Sequence, residues 1–391
     1  MKTVFKLLTS VLLLSLAPLV CQAQNAFPLK TGVFEDQAVI VDARGNHVRL
    51  MSVNWFGAES AAFVVGGLDK QPIDKIARLI KSGGFNSVRL PWCNEMVESN
   101  PVVRDADISA NPRFHGKHAL EVFDAVVKSL SAQGLMIILD NHRSRGDWCC
   151  DEAHGDGLWY SPAYPESSWL SDWQTMTTRY KSNPYVIAAE LRNEIRPDSS
   201  LGVTPTWGTN DRATDWRLAA MRGAETVLKA NPRLLIMVGP INYQQDLSDI
   251  KEHPIKLSLP NKLVYAAHDY AWWRTADELN DPLTFEIGSW QRWGFVREIG
   301  HDYSAPVYIS EWGGCVQNTG NVPCPADRVA FVQSLIQYQR GAGIDWAWWP
   351  LNGTQMQGYG RIKGAVEGYG LLKPDWSAWA NPEVIAGLTA Q

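Results

Sequence analysis

Two stretches of the chain carry apolar runs straight into charge. Tyr185 to Ala189 are apolar and are followed by Glu190, Arg192, Asn193, Glu194 and Arg196; "PVYISEW" likewise ends in Glu311 and Trp312. Buried charge is costly unless it is paired, so a strand that ends this way delivers its charges either to solvent or to a site. Taken singly, each glutamate is most simply a solvated rim charge. Two of them on one rim can do more. One carboxyl can protonate a departing oxygen while the other attacks or activates water, and close approach pushes their pKa values apart so that an acid and a base coexist at one pH.

The pattern recurs along the chain. Apolar runs close on Asn54-Trp55, Arg89 with Trp92, Asp140-Asn141-His142, Asn193-Glu194, Asn242-Tyr243, His268-Asp269-Tyr270, Glu311-Trp312 and Trp348-Trp349. These eight runs (48–56, 85–92, 135–141, 185–194, 234–239, 262–270, 306–312 and 344–350) alternate with segments of helical character at 71–82, 118–133, 167–181, 211–230, 289–300 and 325–340. "NPEVIAGL" supplies a last helix. The runs lack strict alternation, as strands covered on both faces do. Eight such units predict a parallel sheet closed into a (β/α)8 barrel, with its site at the C-terminal ends of the strands. An open doubly wound sheet usually begins with a glycine-rich phosphate turn, and none is present. In an eight-membered ring the fourth and seventh strands lie nearly opposite, so Glu194 and Glu311 can face each other. "FEDQAVIVDARGNHVRL" predicts a β-hairpin turning at Arg44-Gly45-Asn46 and closing the barrel bottom. No linker or low-complexity tract interrupts residues 24–391, which read as one domain.

Composition narrows the ligand. The 391 residues carry a formal charge of −5, which disfavours nucleic acid and anionic membrane as charge-driven partners. Eighteen tryptophans outnumber eleven phenylalanines; because a buried indole N–H needs a partner, many of these rings are expected on a surface or cleft. Residues 1–23 read as a secretory signal: Lys2 and Lys6, a short apolar run, and small residues before a cut after Ala23. The remainder holds no later transmembrane segment and is expected to be exported, outside the membrane and monomeric. Export permits disulfides. Cys315 is expected to pair with Cys324, and Cys93 with Cys149 or Cys150; the spacings match no zinc pattern. Neither a metal nor another cofactor is implied.

The stretches "SVNWFG", "GFNSVRLPWCNEMV", "LDNHR", "ELRNE", "AHDY", "ISEWGG" and "AWWPLNG…YGLLKPDW" together resemble glycoside hydrolase family 5, the cellulase family, over residues 52–376. The resemblance implies a retaining β-glycosidase acting on a neutral β-linked polysaccharide, with endo-β-1,4-glucanase the leading activity. An endo-β-mannanase, an exo-β-glucosidase, a transglycosylase and a silent carbohydrate-binding barrel are the alternatives. It implies Glu194 as acid/base and Glu311 as nucleophile. Asn193 would hold the sugar 2-hydroxyl, and Arg89 would keep Glu311 ionised. His142 and His268 would line the subsite at the scissile bond, Tyr270 would bond the nucleophile, and Trp348 or Trp349 would form the sugar platform. Trp148, Trp159, Trp272, Trp273, Trp55 and Trp312 are candidate subsite walls, each weighed against ordinary packing. The family's "NEP" reads Asn193-Glu194-Ile195 here. On this reading Glu194 has the raised pKa while Glu311 is charged. Asn352 in "NGT" is a glycosylation acceptor by pattern, expected to be unoccupied because it lies near the mouth.

Overall fold

A computed structural model describes residues 26–316 and 323–390; the signal segment 1–23 lies outside them. The hairpin is β1 (Lys30–Phe34) and β2 (Gln37–Val41). The barrel follows as β3 (Met51–Asn54), β4 (Ser87–Cys93), β5 (Met136–Arg143), β6 (Val186–Glu190), β7 (Leu235–Val238), β8 (Leu263–Asp269), β9 (Val307–Trp312) and β10 (Asp345–Trp348). All eight pair in parallel, and β10 returns to β3 to close the ring. Each strand is buried along almost its whole length, which accounts for the unbroken apolar runs.

The enclosing helices are α1 (Ile73–Ser82), α2 (Asn94–Ser99), α3 (Ala119–Ala132), α4 (Glu166–Arg179), α5 (Trp216–Ala230), α6 (Ala276–Asn280), α7 (Pro282–Arg292), α8 (Ala326–Ala342) and α9 (Pro382–Thr389). α1 shows the reason they lie on the sheet. Ile73, Ile76, Ala77 and Ile80 fall on one face at helical spacing and are buried. α5 starts at Trp216 rather than 211 because Asp215 caps it, accepting the Leu218 N–H. The segment expected as a helix at 289–300 is α7, which begins earlier: Asp281 caps it and Pro282 occupies its first position.

The hairpin turns at Glu35-Asp36, both in the left-handed region (φ 48° and 59°), and not at Arg44-Gly45-Asn46. A two-residue turn of this kind matches strand twist. The second bend exists but is a loop folded round Asp42, whose carboxylate takes the N–H groups of Arg44 and Asn46. Leu29 and Ile40 pack with Met136, Ile138, Leu235, Val264 and Tyr308, closing the N-terminal mouth of the barrel as expected.

Candidate active site

Arg89, near the start of β4, is fully buried and organises the opposite mouth. Its Nε and Nη2 donate to both oxygens of Glu190 on β6 (2.7 and 3.0 Å). Its Nη1 donates to Asn54 on β3 (3.0 Å) and to Glu311 on β9 (2.7 Å). Nη2 also reaches Asn193 Oδ1 (2.8 Å) and lies 3.1 Å from Asp140 on β5. One guanidinium thus ties together side chains from five strands, and a planar fork is the group suited to it. Three carboxylates share this one cation, so its pull is divided among them. Burial pushes Asp140 up to about 6, against the pull of Arg89.

β6 ends at Glu190, four residues before Glu194, so the candidate acid stands on a loop and not on the strand itself. That loop is held firmly. Trp169 and Trp173 of α4 both donate their indole N–H to the Leu191 carbonyl (3.0 Å each). Glu194 has φ 44°, a left-handed conformation that costs a non-glycine residue about 1–2 kcal/mol. Its N–H donates to Gln244 Oε1 (2.7 Å), and its carbonyl accepts from Arg196 (2.8 Å). Asn242, Tyr243 and Gln244 are left-handed in succession, which brings Gln244 to that N–H. Glu311 needs no such device, since it lies within β9.

The two carboxyls meet at His268, which ends its strand beside Asp269. His268 Nδ1 is 2.8 Å from Glu194 Oε1 and 3.7 Å from Glu311 Oε2. Oxygens of the two glutamates lie within 4.8 Å of one another. Tyr270 donates its hydroxyl to Glu311 Oε2 (3.2 Å), and Ser310 Oγ bridges His268 Nε2 to Glu190. Burial pushes Glu311 up to about 7, against His268 and Arg89, with Glu194's charge adding to the rise. Glu194 lies below its ordinary value: burial raises it, but the hydrogen bond and charge of His268 outweigh that. The order is the reverse of the sequence expectation. The reason is His268, whose own pKa is raised by the two glutamates despite burial and which sits closer to Glu194. The two acids therefore titrate as a pair, with Glu311 the more readily protonated of the two. Burial, with Arg89 adding, drops His142 well below its usual range, so it is neutral, 2.6 Å from Asp140.

A cavity of about 490 Å³ opens over this pair. Its lining includes Glu59, His142, Trp148, Trp349, Arg361 and Glu367, and also Tyr243, Tyr270, Trp272 and Trp273. Trp349 is stacked on His142 (5.4 Å, 7°) and lines the cavity, whereas Trp348 is buried against Trp312 with its N–H on the Tyr369 carbonyl. Trp148, Trp272 and Trp273 line the cavity. Trp55, Trp159 and Trp312 do not. All three are fully buried; Trp55 bonds the Gly66 carbonyl, Trp159 bonds Glu166 and packs on Trp216, and Trp312 packs between Trp346 and Trp348. Among the described residues Asn193 Nδ2 meets the sulfurs of Cys149 and Cys150, at 3.7 Å.

Those two cysteines are joined to each other, which corrects the bridge expected from Cys93. Cys93 is a buried free thiol turned toward the Ala58 carbonyl, while the other sulfurs face Asn193. Cys315 and Cys324 are paired as expected. Asn352 is buried with its amide on the Phe56 backbone, leaving no room for a glycan. Glu59, Glu190, Gln244, Arg361 and Glu367 were not anticipated. Only Glu190 carried a signal, as one charge among several in a single run. Glu194, His268 and Glu311 are also close enough to hold a metal. With Arg89 and Tyr270 already on Glu311, the set suits proton sharing better than a second cation.

The family model described as Cellulase (glycosyl hydrolase family 5) matches residues 41–355. An endoglucanase of Paenibacillus polymyxa is 30% identical over 363 residues, covering 88% of this chain and 83% of its own length. The major extracellular endoglucanase of Xanthomonas campestris is 29% identical, covering 87% and 67%. Among solved structures, the hyperthermophilic endocellulase of Pyrococcus horikoshii superposes with a TM-score of 0.76 at 26% identity, covering 93% of this chain and 99% of that one. A cellotetraose complex of the same endocellulase superposes with a TM-score of 0.75 at 26% identity, covering 93% and 99%.

Proposed function

The chain belongs to the cellulase family, glycosyl hydrolase family 5, and on that premise we propose that it is a retaining endo-β-1,4-glucanase with Glu311 as nucleophile and Glu194 as acid/base. The observation that carries this reading is the pair of buried carboxyls within 4.8 Å, of which Glu311 is the one that Arg89 holds. Retaining pairs stand roughly 5–5.5 Å apart, and inverting pairs roughly 6.5–9.5 Å apart to admit a water.

The reaction uses the pair's single proton. Moving it to Glu194 leaves the charge on Glu311, where Arg89 and Tyr270 hold it. Glu311 attacks the anomeric carbon as Glu194 gives its proton to the departing glycosidic oxygen. The resulting glycosyl ester has no charge on Glu311, so Glu194 loses the partner that opposed its ionisation and takes a proton from the incoming water. Asn193, its Oδ1 fixed by Arg89, presents Nδ2 to the sugar 2-hydroxyl. His142 orients the platform Trp349, on which the apolar face of the attacked sugar rests.

Cellulose-type substrate is favoured over mannan or aryl glucoside by the endoglucanase relatives and by the cellotetraose-bound endocellulase. The protein acts outside the cytoplasm as a monomer; the N-terminal 23 residues and the extracellular Xanthomonas relative support export. Among the described residues no helix is long and apolar enough to cross a membrane. The test is a panel of β-1,4-, β-1,3- and mixed-linkage glucans and mannan, with proton NMR of early products. Preferred cleavage of the β-1,4-glucan with initial release of the β-anomer is expected; the α-anomer, or preference for mannan, would overturn the reading.

A further inference from the structure

Residues 353–370, after β10, form an excursion with its own hydrogen bonds. Gln355 N–H donates to the Ala365 carbonyl (2.8 Å), Gly364 N–H to Gln355 (3.0 Å) and Arg361 N–H to Gly358 (3.0 Å). Its tip reaches two other rim loops. The Tyr359 N–H donates to Asp147 Oδ1 (2.7 Å), and its ring meets His154 edge-on at 4.1 Å. Lys363 pairs with Asp107, and Arg104 reaches Gln357 (3.5 Å). Gly358 lies so close to the segment at Trp148 that a Cβ there would fall 2.6 Å from Trp148 Cβ and 2.8 Å from its nitrogen. The excursion is therefore a strap across one end of the cleft.

What the strap brings into the cavity is polar. Arg361 lies over the Trp148 ring at 4.0 Å and pairs with Glu367. The guanidinium covers one indole face and so removes it as a stacking platform. Its Nε is buried and has no partner among the described residues. Trp148 in turn packs against Phe56 and Trp349. Away from the strap, Trp272 is stacked on Tyr270 and 52% exposed among the described residues. With the attacked sugar resting on Trp349 as proposed above, the strap, which reaches Trp349 through Trp148, lies on the glycone side and the Trp272 end takes the leaving chain.

We propose that residues 353–370 narrow the glycone end of the cleft, and that Arg361 and Glu367 bind the hydroxyls of the sugar seated there, so that short cello-oligosaccharides settle in one register and are cut at a fixed distance from their non-reducing end. This rests on the reading of the cavity as a β-1,4-glucan site. Ionic hydrogen-bonding groups beside an aromatic trough suit the hydroxyl edge of a sugar ring, and Arg361 and Glu367 both line the cavity.

Cellotetraose and cellopentaose labelled at the reducing end test it. The wild-type protein should release the same fragment from the non-reducing end of both. Arg361→Ala and Glu367→Gln should each lower the ratio of dominant to minor product about tenfold, the loss expected for one charge-assisted hydrogen bond. Replacing 356–364 with a short glycine linker should also raise the loss of viscosity per reducing end on soluble cellulose. A cut site counted from the reducing end, or product ratios unchanged in all three variants, would overturn the inference. Wild-type protein that cleaves mannan but no cello-oligosaccharide would instead remove the premise, and the strap reading with it.

Discussion

Glu194 and Glu311 do not contribute equally, and substitution should separate them. Glu311→Ala should abolish turnover on every substrate, because no other group occupies the nucleophile's place. Glu194→Ala should cost about 10²–10⁴-fold on cello-oligosaccharides but far less on aryl glycosides whose leaving groups need no proton; steady-state rates on both substrates check this. The pH profile of kcat/KM belongs to the pair. Activity needs one shared proton, so it is lost as pH rises through Glu311's value of about 7 and as pH falls through the lowered value of Glu194. His268 lowers both, so His268→Gln should move both limbs to higher pH. Fixed limbs would show that the imidazole carries no charge there. Both acids were legible in the sequence, since each ends an apolar run among residues of matching type. The order of their pKa values was not, because it depends on His268 lying 2.8 Å from one and 3.7 Å from the other.

Elements set these distances, and their ends matter more than their middles. The eight strands were legible because burial on both faces forces continuous apolar runs. Loop conformation was less so. Nothing in "INYQQ" announces three successive left-handed residues, and nothing in the tryptophan count tells Trp349 from Trp348. Trp55, Trp159 and Trp312 were misplaced for one reason: each sits near a strand end or in a rim loop, yet backbone or side-chain groups nearby turn its ring inward. Asp215 illustrates an end that holds two elements. It caps α5 at Leu218 and also accepts from Gly208 (3.2 Å) and Asn210 (2.7 Å). Asp215→Ala should therefore destabilise by about 2 kcal/mol, the upper part of the range for a lost cap. Urea unfolding with an unchanged m-value would measure it.

At the scale of the molecule, the barrel, its floor and its mouth follow from one alternation of apolar runs and amphipathic helices, which is why the fold was readable without a relative. The hairpin's place beneath the barrel was legible, but its turn was not, because Glu35-Asp36 carries no glycine. Cysteine pairing was legible only for the short loop at Cys315. The proposed export predicts that mass spectrometry of the secreted protein finds a chain beginning at Gln24, and the proposed monomer that sedimentation finds a single copy. An intact N-terminus in the medium would remove the signal reading.

The same guanidinium that holds Glu311 also cross-braces five staves of the cask. Arg89→Ala would strand Asp140 and Glu190 without a counter-ion in the interior, a penalty of about 3–5 kcal/mol. An inert protein meant to trap a sugar chain for crystallography is therefore better made at Glu194. Its head group hangs at the rim on a single imidazole, and Glu194→Gln leaves every stave in its hoop.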